Sequence, residues 1–211
     1  MSVLQGRWLP LVVLVVSVAA LLASVVGVAG GLVSRSGPAT MMGTAVSSGE
    51  RVRGMADAER AAARFAGRWH LHVGETMRFT DNYYVTLIDS VGKPATEVLV
   101  EPGSGTVHVE WGPAMMWNTA FGMMPGRTPS GSAAIGPGQA VGIADGWLHR
   151  HKPGLRAADP ERFPGYYTLH TLRGDRIVGM LSVRAADGAV WCHTWHGRFL
   201  QMEERPGAGV R

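Results

Sequence analysis

The stretch that runs from Asn82-Tyr83-Tyr84 to Gly105-Thr106-Val107 returns as Gly165-Tyr166-Tyr167 to Gly188-Ala189-Val190, with a constant spacing of 83 residues (166 minus 83, 188 minus 105). A chain carrying one pattern twice is expected to fold as two copies of one small unit. In the first copy a helix begins at Asp57 as N-cap and aligns Ala58, Ala62, Phe65 and Trp69 on one face. Predicted strands follow at 76–79, 83–88, 96–100 and 106–111, punctuated by Asp81-Asn82, Gly92-Lys93-Pro94 and Pro102-Gly103-Ser104-Gly105. In the second copy Gly136-Pro137-Gly138 opens a helix whose buried stripe is Ala140, Ile143, Ala144, Trp147 and Leu148. Strands are predicted at 166–172, 177–183 and 189–194. Trp147 answers Trp69 at a spacing of only 78, so five extra residues are assigned to a loop within 149–162. The fold class is α+β, each unit a helix packed on an antiparallel meander. On a strand, neighbouring tyrosines point to opposite faces, so one ring of each Tyr-Tyr pair is expected in the core and the other at the surface.

From Trp8 to Ser34 no side chain is ionisable, and the run is long enough to cross a hydrocarbon core, which takes about 20 apolar residues. It reads as an uncleaved single-pass anchor with the body extracytoplasmic. A signal peptide cleaved near Gly27-Val28-Ala29-Gly30, leaving a secreted body, is the alternative. The expected organisation is a cytoplasmic tail at 1–7, an N-terminal transmembrane helix at 8–34, a flexible tether at 35–56, and a first unit at 57–112. A Met/Trp-containing link with a Gly/Ser/Pro loop follows at 113–136, then a second unit at 137–200 and a C-terminal tail at 201–211. The lone cysteine, Cys192, excludes an intramolecular disulfide, so packing must hold the body together. The formal charge of +4 is spread among mixed signs without a basic run, which argues against nucleic acid as a partner.

The strand-turn-strand segments Val100-Glu101-Pro102-Gly103-Ser104-Gly105-Thr106-Val107 and Val183-Arg184-Ala185-Ala186-Asp187-Gly188-Ala189-Val190 resemble the hallmark of the PepSY domain, the family named for peptidase propeptides and the spore protein YpeB. The Ala-rich helix before each sheet fits the same pattern, and residues 112–119, 163–169 and 191–197 are similar to a tandem group of membrane-anchored bacterial proteins of that family. The resemblance implies a non-enzymatic module that binds or restrains an envelope protein, often an extracytoplasmic peptidase, here acting in trans. It carries over no catalytic residues.

Histidine and methionine supply the other functional candidates. His70 and His72, His149 and His151, and His193 with His196 form three close groups, and Met123 and Met124 add soft donors. On a strand a His-x-His pair places two imidazoles on one face, and with thioethers the natural guest is copper; zinc is less suited, since neither pair has carboxylate or cysteine company. The competing reading is structural: histidines at a helix end complement the macrodipole, and methionines fill gaps. Met115, Met116, Trp117, Asn118 and Phe121 form an apolar cluster that either packs between the units or meets a partner protein. Cys192 and His193 are adjacent on a predicted strand and face opposite sides, so they make no nucleophile-base pair, and no enzymatic activity is expected. Two functions follow: a membrane-tethered binding or regulatory module, and an extracytoplasmic metal-binding protein.

Overall fold

The computed structural model describes residues 45–47, 49–123, 125–126 and 135–203, all within the unit Thr40–Arg211. The apolar segment 8–34, Met124 and the segments 127–134 and 204–211 lie outside the described residues. Among the described residues, no helix is long and apolar enough to cross a membrane.

Helix α1 (Met55–Ala66) turns Met55, Ala58, Ala61, Ala62, Phe65 and Ala66 inward, the stripe its spacing dictates. Its N-cap is Gly54 rather than Asp57. Asp57 sits one turn in, where its carboxylate accepts the Arg53 N–H at 2.9 Å and pairs with Arg60, so its side chain reaches back to cap the helix entry. Trp69 lies beyond the helix in a 3-10 turn, Gly67–Trp69, half-buried against the same core. Strands β1 (His72–Phe79), β2 (Tyr83–Ile88), β3 (Pro94–Val100) and β4 (Val107–Val109) then form an antiparallel meander under α1.

After a short helix α2 (Pro113–Met116), helix α3 (Pro137–His151) buries Ala140, Ala144 and Leu148, and its first turn is tied by the Gly136 N–H donating to Gln139 Oε1 at 2.9 Å. The meander of β5 (Arg156–Phe163), β6 (Tyr166–Arg173), β7 (Arg176–Arg184) and β8 (Val190–Cys192) packs on it. The segment 149–162, expected as a loop, is therefore the end of α3, a tight connection and most of β5. Asp145 Oδ1 accepts the Ala157 N–H at 2.6 Å and fastens that strand to the helix. A ninth strand, β9 (Phe199–Glu203), returns to the first sheet and pairs with β1, giving the order β4-β3-β2-β1-β9; residues 201–203, expected in the tail, belong to it. Period-2 apolarity is weak there, with Leu200, Gln201 and Glu203 exposed, so an edge strand of this kind leaves little trace in sequence.

The turns at Glu101–Thr106 and Arg184–Ala189 carry the same bonds. Glu101 N–H donates to Thr106 O and Gly105 N–H to Glu101 O, at 2.9 and 2.8 Å; Arg184 N–H donates to Ala189 O and Gly188 N–H to Arg184 O, both at 2.9 Å. Gly105 and Gly188 adopt φ of +61° and +75°, the left-handed region open to glycine. The tyrosines, however, are out of step by one residue. Tyr83 stands opposite Val100, whereas it is Tyr167 that stands opposite Val183, and Tyr166 opposite Arg184. A one-residue slip exchanges the faces of a strand. Tyr83 and Tyr167 consequently pack in the cores beneath α1 and α3, while the hydroxyls of Tyr84 and Tyr166 both donate to Glu97, at 2.7 and 2.6 Å. None of the four rings reaches the surface, contrary to expectation, because the outer face of each sheet is covered by a helix and the inner faces meet each other.

That inner layer is polar. Glu97, Glu110, Thr86, Thr168, Ser182, His193 and His196 are all buried within it. Buried polar groups of this kind persist only when hydrogen-bonded or charge-paired.

Candidate metal centre

Glu110 lies one residue beyond β4, and its N–H donates to Glu97 O at 2.9 Å, so the ladder continues and both carboxyls stand on the inner face. His193 extends β8 in the same way, donating its N–H to Met180 O at 3.1 Å. His196 sits in the strap 193–198 that leads from β8 across to β9. Backbone bonds clip this strap to the β1–β2 turn: Asp81 N–H to His196 O at 3.1 Å and Thr80 N–H to Arg198 O at 2.9 Å, while Arg198 N–H donates to Thr80 Oγ1 at 3.0 Å. Gly197 passes so close that a Cβ there would lie 2.0 Å from Thr80 Oγ1, at a φ of +76° that itself favours glycine.

The result is a convergence of three buried side chains from distant parts of the chain. Glu110 Oε1 lies 3.1 Å from His193 Nδ1 and 2.8 Å from His196 Nε2, and the two nitrogens are 3.4 Å apart. The side chains of Glu110 and His193 are 0 % exposed and that of His196 is 2 % exposed. A tetrahedral ion with bonds of ~2.0–2.1 Å holds its ligand atoms roughly 3.3–3.4 Å apart. The shortest edge of the triangle needs to open by roughly half an ångström to take one, and these residues could hold a metal ion.

The hydrogen bonds on the far side of each ring support this. Asn82 Nδ2 donates to Trp195 O at 3.0 Å, which orients the amide and leaves Asn82 Oδ1 facing His196 Nδ1 at 2.8 Å. His196 must therefore donate from Nδ1, and in its neutral form Nε2 presents a lone pair to the centre. His193 Nε2 meets Ser182 Oγ at 2.9 Å, and Ser182 meets Thr168 Oγ1 at 2.9 Å. The rings are also clamped: His196 stacks on Phe79 with centroids 4.5 Å apart, and His193 on Trp195 at 4.8 Å.

Electrostatics divides the two carboxyls. Burial, followed by the Glu110 charge, pushes Glu97 well above the usual carboxylate range, and its hydrogen bonds with Thr168, Tyr166 and Tyr84 do not offset this. Burial acts on Glu110 in the same sense, but the charge of His193 and hydrogen bonds from His193 and His196 outweigh it and hold Glu110 below that range. Glu110 is thus the ionised member, with His193 as its charge partner. An imidazolium would satisfy Oε1, as does the Trp195 N–H at 3.2 Å, yet Glu110 Oε2 is buried without any hydrogen-bond partner. Leaving a buried acceptor unpaired costs about 1–3 kcal/mol.

Ser182, His193 and Glu110 are also linked in the order of a nucleophile, base and orienting acid. Ser182 lies mid-strand with no exposed surface, so no acyl group can approach it.

Of the expected metal ligands, only His193 and His196 come together, and their partner Glu110 was missed. His70 and His72 are exposed around the start of β1, with His70 at φ +56°, so the pair does not present two rings from one strand face. His149 and His151 are exposed at the end of α3, where His151 Nδ1 bonds Trp147 O at 2.8 Å and its ring stacks on Trp147. Met123, one of the thioethers that favoured copper, is exposed and does not join the converging donors; Met124 lies outside the described residues. Of the apolar link, Met115, Trp117 and Phe121 are half-buried against the first core. Asn118 is buried, donating to Ala95 O at 2.8 Å and accepting from the Ala120 and Phe121 N–H groups. Met116 is 58 % exposed. Glu110 itself had one sequence signal, its place two residues after His108 on the same strand face, beside the buried end of a meander.

No protein-family model matches this chain, and no curated protein or solved structure does.

Proposed function

We propose that the chain is a membrane-tethered extracytoplasmic protein whose folded body binds a divalent transition metal through Glu110, His193 and His196. The observation that carries this reading is the unpartnered Oε2 of Glu110, fully buried beside two imidazoles whose outer nitrogens are already engaged. The donor set is two imidazole nitrogens and a carboxylate, which suits Zn(II) or Cu(II) better than the thioether-seeking Cu(I). Calorimetric titration of the metal-free full chain in detergent is expected to show one saturable site for Zn(II) or Cu(II). Glu110→Gln, which keeps the side-chain shape but removes the charge, is expected to weaken it at least 100-fold. Saturable uptake of neither ion, or equal uptake by this variant, refutes the reading.

A second reading, a PepSY-like module that restrains an envelope peptidase or other protein in trans, is favoured by a surface patch. Trp111, Met116 and Trp191 are 46, 58 and 38 % exposed, and Trp191 makes an edge contact with Trp117 at 5.5 Å. Large exposed aromatics grouped in this way mark contact surfaces. Crosslinking in membranes should capture one specific protein in wild type and lose it in Trp111→Ser/Met116→Ser; capture unchanged by those substitutions argues against the patch.

A further inference from the structure

Resting on the metal reading, we infer that the ion is a zinc-type cation, tetrahedrally held, and that it is built in as a cross-link between the two sheets rather than carried as exchangeable cargo. Its ligands come from three separate places. Glu110 ends an edge strand of the first sheet, His193 ends an edge strand of the second, and His196 lies in the strap that continues into β9 on the opposite edge of the first sheet. A bond network through one ion at this point fixes the end of β8 against the end of β4, and pins the middle of the strap whose far end is β9.

The chemistry selects the ion. Two imidazole nitrogens and one carboxylate oxygen make a three-ligand set of borderline character, the kind zinc accepts without demanding a particular geometry, with a water molecule to complete the tetrahedron. Cys192 does not join it: as the strand neighbour of His193 it faces the other way, with Sγ 4.0 Å from Met180 O. Asn82 and Ser182 occupy the outer positions that hold ligating histidines in one tautomer and one ring orientation. Phe79 and Trp195 stack on the two rings, so the donors are aimed before any ion arrives.

Burial selects the role. A catalytic centre keeps its open position within reach of substrate and a carrier must release its ion, whereas here every ligand is 0–2 % exposed and the fourth position at the ion is closed in with them. The ion enters or leaves only when the strap 193–198 lifts from the β1–β2 turn. Its exchange rate is therefore the opening rate of the strap, set by the bonds from Thr80, Asp81 and Asn82 and by the tight passage at Gly197.

The test uses the full chain in detergent, loaded with Co(II) and then with Zn(II). Co(II) should give the intense visible absorption of a tetrahedral site, and Zn(II) should displace it. Zinc transfer to excess EDTA should take hours, and should quicken at least tenfold in Thr80→Ala, which touches no ligand, and in Gly197→Ala. Weak octahedral Co(II) absorption, or transfer complete within seconds and equal in Thr80→Ala, overturns the cross-link while leaving the metal centre standing. Uptake of no metal at all overturns both.

Discussion

Glu110→Ala is expected to lower the free energy of unfolding by ~3–5 kcal/mol in metal-free protein, the loss typical of breaking one partner out of a buried charge pair. The substitution removes the acceptor of His193, His196 and the Trp195 indole at once, in a fully buried layer. Glu110→Gln keeps one oxygen for these donors and is expected to lose about half as much, since a neutral acceptor still avoids orphaned N–H groups. Urea unfolding at pH 7 reads both values. Because the two residues act as a unit, Glu110→Ala combined with His193→Ala should cost clearly less than the two single losses added. A loss below about 1 kcal/mol for Glu110→Ala, the range of an exposed pair, would show that the inner layer is wet and that the centre is not closed.

The second large effect concerns pH. Between the sheets a cleft of about 380 Å³ is lined by Glu75, Asp159, Glu161 and His170. Burial, and then the Glu75 carboxylate, raise Glu161 to about 7, against the opposing Thr86 hydrogen bond and the His170 charge. A carboxyl whose folded pKa is raised holds its proton more tightly in the native state than in the unfolded chain. Stability is then greatest below the unfolded pKa of 4.5 and falls as pH rises from there to about 7. The span corresponds to ~3 kcal/mol. Glu161→Gln keeps an acceptor for the Thr86 hydroxyl and removes the charge, so it should be more stable than wild type by ~2–3 kcal/mol at pH 8 and nearly equal to it at pH 4. His170 adds a smaller slope of the same sign: burial lowers its pKa, but Glu75 and Asp159 outweigh burial and raise it, so its contribution is present below 6.5 and is lost as pH rises. The variant should retain that part. Parallel wild-type and variant stability curves between pH 4 and 8 would show that Glu161 is not the group responsible.

The helices, the first three strands and the Gly-centred turns were legible because each depends on local rules: a stripe at helical spacing, alternation on a strand, glycine where φ is positive. Asp57 misled by one turn, since an acidic residue near a helix start serves either as N-cap or, as here, by reaching back from inside. The Tyr-Tyr pairs misled by one residue. Identical letters aligned best at a spacing of 83, while strand pairing set the faces by register with β7, where Tyr167 takes the place Tyr83 holds against β3. Of the candidate ligands, His193 and His196 were visible as a near pair. Asn82 and Glu110 were not, because little that is local marks a residue that meets its partner 83 to 114 positions away (193 minus 110, 196 minus 82), and Ser182 meets His193 only through the pairing of β7 with β8.

The sequence by itself determined an α+β chain with two helix-and-meander segments, a lone cysteine that rules out an intramolecular disulfide, and a surplus of histidines without a catalytic pattern. Only the tertiary structure decided which histidines matter. Two sheets, each covered by its helix on one face, had to meet through the other, and the polar side chains buried on those faces had to find partners among one another. That demand brought Glu110 to His193 and His196, and left one carboxylate oxygen without a hydrogen-bond partner.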